Sequence, residues 1–389
     1  MSRVETKVAP GRVAVIGTGL IGTSIALALR GRGTEVLLAD RDPAAVRLAA
    51  DAGAGTPLYG RPHEPREPSV SLESFGPADF EPADFGPADL AILAVPPGAV
   101  PAALLEAQKR GVARVYTDVA SVKERPMAEA VRLGCDMTTY VGGHPMGGRE
   151  RSGPLAAQAD LFLGRPWVLC PTRDTGEEAV EAATALILAC GATPVVMDAA
   201  DHDRAVALIS HTPHVVSAAM AARFAGAPGG VLSLTGQGAR DVTRIAAGDP
   251  ELWLGILCAN ARPIADLLEE VARDLVTAAA GLREGETEGA VADLLARGVA
   301  GHGRIPGKHG GRPRRYTAVP VLVADRPGEL ALLFQAAGVA GINIEDVAIE
   351  HSPGRSVGLV ELSVRPESAQ DLARELRARG WSVPVGEAD

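Results

Sequence analysis

One short stretch, RVAVIGTGLIG at residues 12–22, limits the possible folds more than any other part of this sequence. A β-branched run ends at Gly17, and the following residues, SIALALRGRG, have helical spacing and a glycine stop. Gly17, Gly19 and Gly22 thus form a GxGxxG pattern between a strand and a helix, which is typical of a dinucleotide-binding loop. In such a loop the glycines allow a tight turn, and a pyrophosphate binds the free N–H groups at the helix start.

The second strand pattern, EVLLAD at residues 35–40, indicates which nicotinamide dinucleotide the loop binds. Its last residue, Asp40, can accept hydrogen bonds from a ribose 2′-hydroxyl and repels a 2′-phosphate, which favours NAD over NADP. Arg41 follows directly, and a guanidinium can tolerate that phosphate; a strand-end turn is the alternative role for Asp40. The expected NAD contacts are Gly17, Thr18, Gly19, Leu20, Ile21, Gly22, Asp40, Arg41, Val95 and Pro96.

Strand and helix patterns continue to alternate through residues 1–198. Further strand patterns occur at 88–97, 113–121, 164–172 and 192–199. This alternation predicts an α/β fold, a Rossmann-type doubly wound parallel sheet with helices on both faces, as an NAD-binding domain. Residues 55–87 contain the imperfect repeat GPADF-EPADF-GPADL, which has no apolar face to bury, so we expect a flexible surface insertion there.

The second half of the chain changes pattern twice. Residues 199–298 are Ala- and Leu-rich with helical spacing, which predicts an all-α substrate and dimerisation domain that packs on a second subunit. Residues 299–315 are basic and Gly-rich and are expected to be a linker. Residues 316–389 have a β-α-β-β-α-β order, which predicts a small ferredoxin-like α+β domain.

Composition excludes several classes of protein. The apolar runs are broken well before the roughly 18–20 residues of a membrane span, and the N-terminus lacks the apolar region of a signal peptide, so we expect a cytoplasmic protein without membrane contact. A net charge of −10 disfavours a nucleic-acid surface. The four cysteines form no CxxC pair, which disfavours a disulfide framework or zinc site, and we expect no metal.

The segment YVGGHPMGGRERS, residues 140–152, places one histidine between two glycine pairs. Glycines allow positive φ and close ligand approach, and a proline fixes the backbone next to the ring. We therefore predict that His144 lies on a shaped loop at a cleft. An ordinary turn with a solvated histidine is the alternative.

Four segments in order resemble the prephenate and arogenate dehydrogenases of tyrosine biosynthesis: TDVASVK (117–123), GGHPMGG (142–148), SHTPH (210–214) and DVTRIAAGDPELW (241–253). The resemblance covers about residues 11–298, and the C-terminal part resembles an ACT domain, an amino-acid-sensing module. It implies NAD-dependent oxidative decarboxylation of prephenate to 4-hydroxyphenylpyruvate. Arogenate dehydrogenation, which forms tyrosine directly, is the alternative that the sequence leaves open.

The same resemblance implies roles for several side chains. His144 accepts the hydrogen bond of the ring hydroxyl as hydride leaves, and Ser121 is its partner, although a serine here could also cap the next helix. Ser210 and His214 face the substrate side chain, and His211 is structural. A zinc site at His211 and His214 is the alternative, but no neighbouring cysteine or carboxylate completes a ligand set.

Further residues are expected at the substrate carboxylates. The resemblance assigns Arg244 to a substrate carboxylate, with Asp241 to orient it; a surface ion pair is the alternative. Trp253 is placed near the active site and the subunit interface, or else in the core. Arg149 and Glu150 are candidates for discriminating prephenate from arogenate, but their opposite charges leave the preference open.

In the C-terminal part, the resemblance implies an effector site at Asp325, Pro327, Gly328 and Asn343. Tyrosine is the expected effector, and a domain that only assists homodimer assembly is the alternative.

Two other classes of protein share parts of this pattern. A β-hydroxyacid dehydrogenase uses a lysine in its helical domain, and residues 199–298 contain none. A non-catalytic, NAD-bound amino-acid sensor would bind NAD without turnover.

Overall fold

The computed structural model describes residues 9–58, 86–148, 153–285, 289–306, 316–351 and 356–384. Most of the predicted insertion and part of the predicted linker, residues 59–85 and 307–315, lie outside these ranges. The chain divides into two compact units, Met1–Val271 and Ala272–Asp389.

Within the described residues, the first unit has one eight-stranded sheet in the order β3-β2-β1-β4-β5-β6-β7-β8. Its strands are β1 (Arg12–Ile16), β2 (Glu35–Ala39), β3 (Thr56–Pro57), β4 (Ala88–Leu93), β5 (Ala113–Asp118), β6 (Tyr140–Pro145), β7 (Pro166–Cys170) and β8 (Thr193–Val196). All neighbouring strands are parallel except β6 and β7, which are antiparallel. The predicted Rossmann-type sheet is confirmed, with one antiparallel pair in addition.

Helices cover both faces of this sheet, because side chains alternate along each strand. Val13 and Val15 share one core cluster with the helices α1 (Leu20–Arg30), α2 (Pro43–Asp51) and α5 (Glu177–Ala189). Ala14, between them, joins the opposite cluster with α3 (Val100–Lys109) and α4 (Glu124–Arg132). The fold is therefore doubly wound, as predicted.

The prediction that His144 lies on a loop was wrong. His144 is the fifth residue of β6 and pairs with Val168 of the antiparallel strand β7. Glycine is a poor strand former, which is why the segment resembled a loop, but here the backbone forms a regular ladder. His144 thus lies on a rigid element near the carboxyl end of its strand.

The helical part of the first unit follows the sheet. It contains α6 (Ala199–Val206), α7 (Thr212–Ala221), α8 (Gly229–Leu232), α9 (Gln237–Thr243), α10 (Pro250–Ala259) and α11 (Ala261–Glu284), whose last turns enter the second unit. The helical pattern of this part is interrupted at two places. A wide π-helical turn, Ala207–His211, precedes Pro213. The helix α10 ends at Ala259, with Asn260 as its C-cap, because Pro263 has no N–H to donate to the carbonyl of Ala259.

The second unit contains α12 (Ala290–His302), β9 (Thr317–Ala324), α13 (Glu329–Val339), β10 (Asp346–His351), β11 (Val357–Val364) and α14 (Pro366–Ala378). The three strands form an antiparallel sheet in the order β10-β11-β9, and α13 and α14 contribute to its core. The predicted last strand, WSVPV, is reduced in the described residues to one bridge between Ser382 and Leu322. Pro384 has no N–H with which to extend that ladder. No helix in the described ranges is long and apolar enough to cross a lipid bilayer.

A buried ion pair lies at the carboxyl end of β5. The Lys123 ammonium is almost inaccessible; it contacts the Asp118 carboxylate and donates to the Gly143 carbonyl at 2.7 Å. Asp118 also accepts from the Tyr140 hydroxyl at 2.6 Å and from the Ala120 N–H at 2.8 Å. Burial, followed by the negative charge of Asp118, raises the pKa of Tyr140 well above its usual value, so this phenol stays a donor. Every charge in this cluster has a partner.

We predict that Lys123→Met destabilises the protein by about 3–5 kcal/mol, because it leaves a buried carboxylate without its cation. Arg114→Met is the matched control, since Arg114 on β5 forms an exposed pair with Asp89 on the neighbouring strand β4 and should cost about 0–1 kcal/mol. Urea denaturation of both variants measures the difference. Equal losses would show that burial of the pair has no energetic consequence.

Candidate active site

The predicted phosphate loop has the geometry of a dinucleotide site. Gly17 has φ of 105°, and a Cβ there would collide with the backbone of Ala94 at the end of β4. A Cβ on Gly22 would collide with the Gly17 carbonyl, whereas Gly19 faces open space. No side chain caps the start of α1, so its N–H groups are available to an anion. These residues fit a bound pyrophosphate.

Asp40 follows β2 and lies beside this loop. Its carboxylate accepts from the Thr18 N–H at 2.6 Å and from the Thr18 hydroxyl at 3.1 Å, and its other oxygen accepts from the Asp42 N–H at 3.0 Å. Asp40 therefore braces the phosphate loop in addition to its predicted ribose contact. Arg41 is exposed next to it, and the predicted contacts Val95 and Pro96 follow directly after Ala94.

His144 is the first member of a chain of hydrogen bonds that sequence reasoning missed. Its Nδ1 lies 2.8 Å from Nε2 of His202, and Nδ1 of His202 lies 2.8 Å from the Asp203 carboxylate. Asp203 also accepts from the N–H groups of Lys123, at 2.8 Å, and Glu124, at 2.9 Å. His202 and Asp203 are adjacent in α6, and both are buried. Their only sequence signal is the run DHD at the start of the helical segment.

The environment of His144 keeps its imidazole neutral. Burial is the main cause that lowers its pKa well below the usual 6.5, and His202, Lys123 and His211 act in the same direction as neighbouring positive or protonatable groups. A neutral imidazole has one ring nitrogen with a lone pair, so the residue can accept a proton.

The glycines before His144 serve packing rather than backbone freedom. A Cβ on Gly143 would lie 2.5 Å from the Asp118 carbonyl oxygen, and one on Gly142 would lie 3.0 Å from the sulfur of Met127. The strand of His144 therefore lies directly on the buried Lys123–Asp118 pair. Glycine allows this approach, and the pair in turn holds the strand.

On the helical side, Asn260 connects the break between α10 and α11 to the same network. Its side-chain N–H group donates to the Asp203 carbonyl at 2.7 Å and lies 3.1 Å from Nδ1 of His211. Since an amide nitrogen only donates, His211 accepts through Nδ1. Burial lowers the pKa of His211 to about 4, partly offset by Asp203. The predicted structural role of His211 agrees with these contacts.

Trp253 and His214 form a stacked pair. Their ring centroids are 3.5 Å apart with an interplanar angle of 12°, and Trp253 also meets His211 edge-on at 6.3 Å. His214 is buried, burial lowers its pKa, and its Nδ1 has no hydrogen-bond partner in the described residues. An unpartnered buried nitrogen next to an aromatic face suits a polar ligand group.

The other predicted site residues lie on separate elements. Ser121 is half-buried between β5 and α4, and Ser210 is half-buried in the π-helical turn. Arg244 is exposed after α9, and Asp241 accepts a hydrogen bond from Gln237 at 2.7 Å. Outside the described residues lie two predicted substrate contacts, Arg149 and Glu150. Among the described residues, no group of three or more His, Cys, Asp or Glu side chains is arranged to hold a metal.

Comparisons with known proteins agree with this geometry. Two family models match, "Prephenate dehydrogenase, nucleotide-binding domain" over residues 76–196 and "Prephenate dehydrogenase, dimerization domain" over residues 198–296. A third, "NADP oxidoreductase coenzyme F420-dependent", matches residues 12–120. The probable prephenate dehydrogenase NovF of Streptomyces niveus is 40% identical over 377 residues, 94% of this chain and 98% of that protein. The chain belongs to the prephenate dehydrogenase family.

Solved structures similar to this family member extend the comparison. The prephenate dehydrogenase of Aquifex aeolicus, crystallised with hydroxyphenyl propionate and NAD+, has a TM-score of 0.62 at 23% identity and covers 76% of this chain and 99% of its own. It shows the same fold. The arogenate dehydrogenase of Synechocystis has a TM-score of 0.56 at 26% identity, over 75% of this chain and 98% of its own.

We predict that acid destabilises this prephenate dehydrogenase family member partly through His211. The folded pKa is about 4 and the unfolded value about 6.5, so the unfolded chain binds the proton first. The contribution of His211 is complete above pH 6.5 and is lost as pH falls toward 4, to a total of about 3 kcal/mol. Urea denaturation between pH 7.5 and 4.5 should show a shallower decline for His211→Gln. The control His302→Gln, at an exposed histidine, should keep the original slope; an unchanged slope in His211→Gln would contradict the assignment.

Proposed function

We propose that this protein catalyses the NAD-dependent oxidative decarboxylation of prephenate to 4-hydroxyphenylpyruvate in tyrosine biosynthesis. The observation on which the proposal depends is the imidazole of His144, held through Nδ1 at the carboxyl edge of the sheet that also bears the phosphate loop. Its strand lies three positions from β1, or roughly 14 Å at the usual strand spacing. Open α/β sheets bind their ligands along this edge. The 40% identity to a probable prephenate dehydrogenase over 94% of the chain supports the same reaction.

Each of the predicted site residues has a separate role in this reaction. When bound, NAD+ accepts the hydride from the carbinol carbon of the substrate ring. The phosphate loop and Asp40 hold the dinucleotide, and His144 accepts the hydrogen bond and then the proton of the ring hydroxyl. The bond to the ring carboxylate breaks, carbon dioxide leaves, and its electron pair completes the aromatic ring. Ser121 orients the hydroxyl and the imidazole, and Arg244 binds a substrate carboxylate with Asp241 beside it.

His214, Trp253 and Ser210 form the proposed pocket for the substrate side chain. The unpartnered Nδ1 of His214 supports a polar contact there, and the stacked indole closes one side of the pocket. Arogenate carries an ammonium in place of the keto group of this side chain, and similarity to the Synechocystis arogenate dehydrogenase makes it the second candidate substrate. Arg149 and Glu150 are the proposed discriminating residues.

We predict that His144→Asn lowers turnover with the preferred substrate by about 10²–10⁴-fold, because the general base is lost. Affinity for NAD should stay unchanged, since the phosphate loop lies on other strands. NADH absorbance with prephenate and then with arogenate identifies the substrate, and fluorescence titration measures NAD binding. His302→Asn, which replaces an exposed histidine, is the control. Undiminished turnover in His144→Asn would refute the role of this imidazole.

The helical segment is the proposed homodimer interface. Leu208, Ile209 and Leu254 are large apolar side chains that are more than half exposed, and the matching family model is described as a dimerization domain. The proposed domain limits remain 1–198, 199–298 and 316–389, with the linker at 299–315. The proposed location of the protein is the cytoplasm.

The C-terminal domain is proposed to be an ACT domain that binds tyrosine. Its antiparallel sheet with two helices supports this proposal, as does the turn after β9. Gly328 caps the start of α13 with φ of 91°, and Asp325 and Pro327 precede it. Asn343 lies before β10 and donates to Glu345 at 2.8 Å. Assembly alone is the competing role.

We predict that Asp325→Ala and Asn343→Ala raise the tyrosine concentration for half-inhibition at least tenfold while uninhibited turnover stays the same. The loss of polar contacts at the effector site is the physical reason. Asp371→Ala, on the exposed face of α14, is the control. Steady-state rates with and without tyrosine provide the measurement. Equal inhibition of both variants and the original protein would place the tyrosine effect elsewhere, and no inhibition of the original protein would favour assembly.

A further inference from the structure

Three groups in a row, His144, His202 and Asp203, decide where the protons of the catalytic imidazole lie. The last group is the simplest, because its carboxylate contacts three nitrogens: the backbone N–H groups of Lys123 and Glu124, and Nδ1 of the His202 ring. Two of these donors are backbone groups at the start of α4, where a helix favours negative charge. Asp203 therefore acts as an acceptor, and Nδ1 of His202 carries a proton.

The proton on Nδ1 of His202 determines the state of His144. A neutral imidazole with a proton on Nδ1 has its lone pair on Nε2. Nε2 of His202 lies 2.8 Å from Nδ1 of His144, so this hydrogen bond requires the proton on Nδ1 of His144. The lone pair of His144 is then on Nε2, the nitrogen that points away from this chain of contacts.

The reverse arrangement requires a cationic His202 that donates to His144. Among the described residues, the charged and titratable groups near the two rings are Lys123 with its partner Asp118 beneath β6, Asp203 on α6, and His211 on the π-helical turn. The Lys123 ammonium is almost fully buried and opposes a second cation nearby. The neutral arrangement is therefore favoured.

We propose that His202 and Asp203 are positioning residues that hold His144 in the Nδ1–H tautomer, so that Nε2 is the atom that accepts the substrate hydroxyl proton. This inference rests on the proposed function for its kinetic consequence, but the tautomer itself is a property of the free protein. When the proton arrives on Nε2, the Nδ1–H of His144 already donates toward His202, and the Asp203 carboxylate lies behind it. The hydrogen bonds from His144 through His202 to the Asp203 carboxylate are then already in place to stabilise the new positive charge.

Nitrogen-15 NMR of histidine-labelled protein tests the tautomer directly. At pH 7.5 the full-length protein should show a protonated Nδ1 and an unprotonated Nε2 for His144, assigned by the loss of these signals in His144→Asn. In His202→Leu the single tautomer should be lost, because Nδ1 has no acceptor. A protonated Nε2 on His144 in the original protein would overturn the proposal.

Kinetics of matched variants separate positioning from general destabilisation. His202→Leu should lower kcat by about 10²-fold with unchanged NAD affinity, because it removes the acceptor for Nδ1–H. His202→Gln offers an amide oxygen in a similar place and should recover at least tenfold over His202→Leu. Arg204→Leu, on the exposed side of the same helix, should leave kcat within twofold. Equal activity of the Leu and Gln variants would overturn the positioning role.

The two readouts distinguish this inference from the proposed function. If the original protein forms no NADH with prephenate or arogenate but shows the Nδ1–H tautomer, and His202→Leu loses it, then the function fails and the positioning stands. If the enzyme is active and His202→Leu has the original kcat, the function stands and the positioning fails.

Discussion

Lys123 makes hydrogen bonds through both its side chain and its backbone, and the geometry of the candidate site depends on these contacts. Its ammonium contacts Asp118 and the carbonyl of Gly143 inside the sheet, while its backbone N–H donates to Asp203 on α6. A buried ammonium is tolerated only where its partners are held in place, so this charge strongly favours one arrangement of β5, β6 and the start of α4. The same residue therefore fixes the strand that bears His144 and the helix that bears its hydrogen-bond partner.

The glycines around His144 follow from this buried pair. A side chain at Gly142 or Gly143 would occupy the space between β6 and the Asp118–Lys123 cluster. In sequence, a Gly-Gly pair before His-Pro is typical of a loop, because glycine lowers strand propensity. In the folded protein, the strand tolerates that cost because the ladder with β7 and the lysine bond to Gly143 hold the backbone in place.

Local patterns predicted the phosphate loop and most of the strands and helices, because both depend on residues within about twenty positions of each other. His202, Asp203 and Lys123 could not be found this way. In sequence they resemble surface charges, and their burial depends on partners 58 and 80 residues away. The break at Asn260 was missed because a proline in the first turn of a new helix and a proline in a kinked helix give the same pattern. The resemblance to a family predicted roles for His144 and His214, but it did not predict the groups that hold them.

The bond between His144 and His202 also joins the two segments that the family models describe. His144 belongs to the segment at 76–196, and His202, Asp203, His211, Asn260 and Trp253 belong to the segment at 198–296. Asp203, in the second segment, accepts hydrogen bonds from the start of α4, which belongs to the first segment. Within the second segment, the Asn260 side chain donates to the Asp203 carbonyl. The proposed base is thus correctly protonated only when α6 is docked on the sheet. A change that loosens this docking weakens the hydrogen bond that holds the proton on Nδ1 of His144. It therefore affects the proposed proton transfer even where it contacts neither substrate nor dinucleotide.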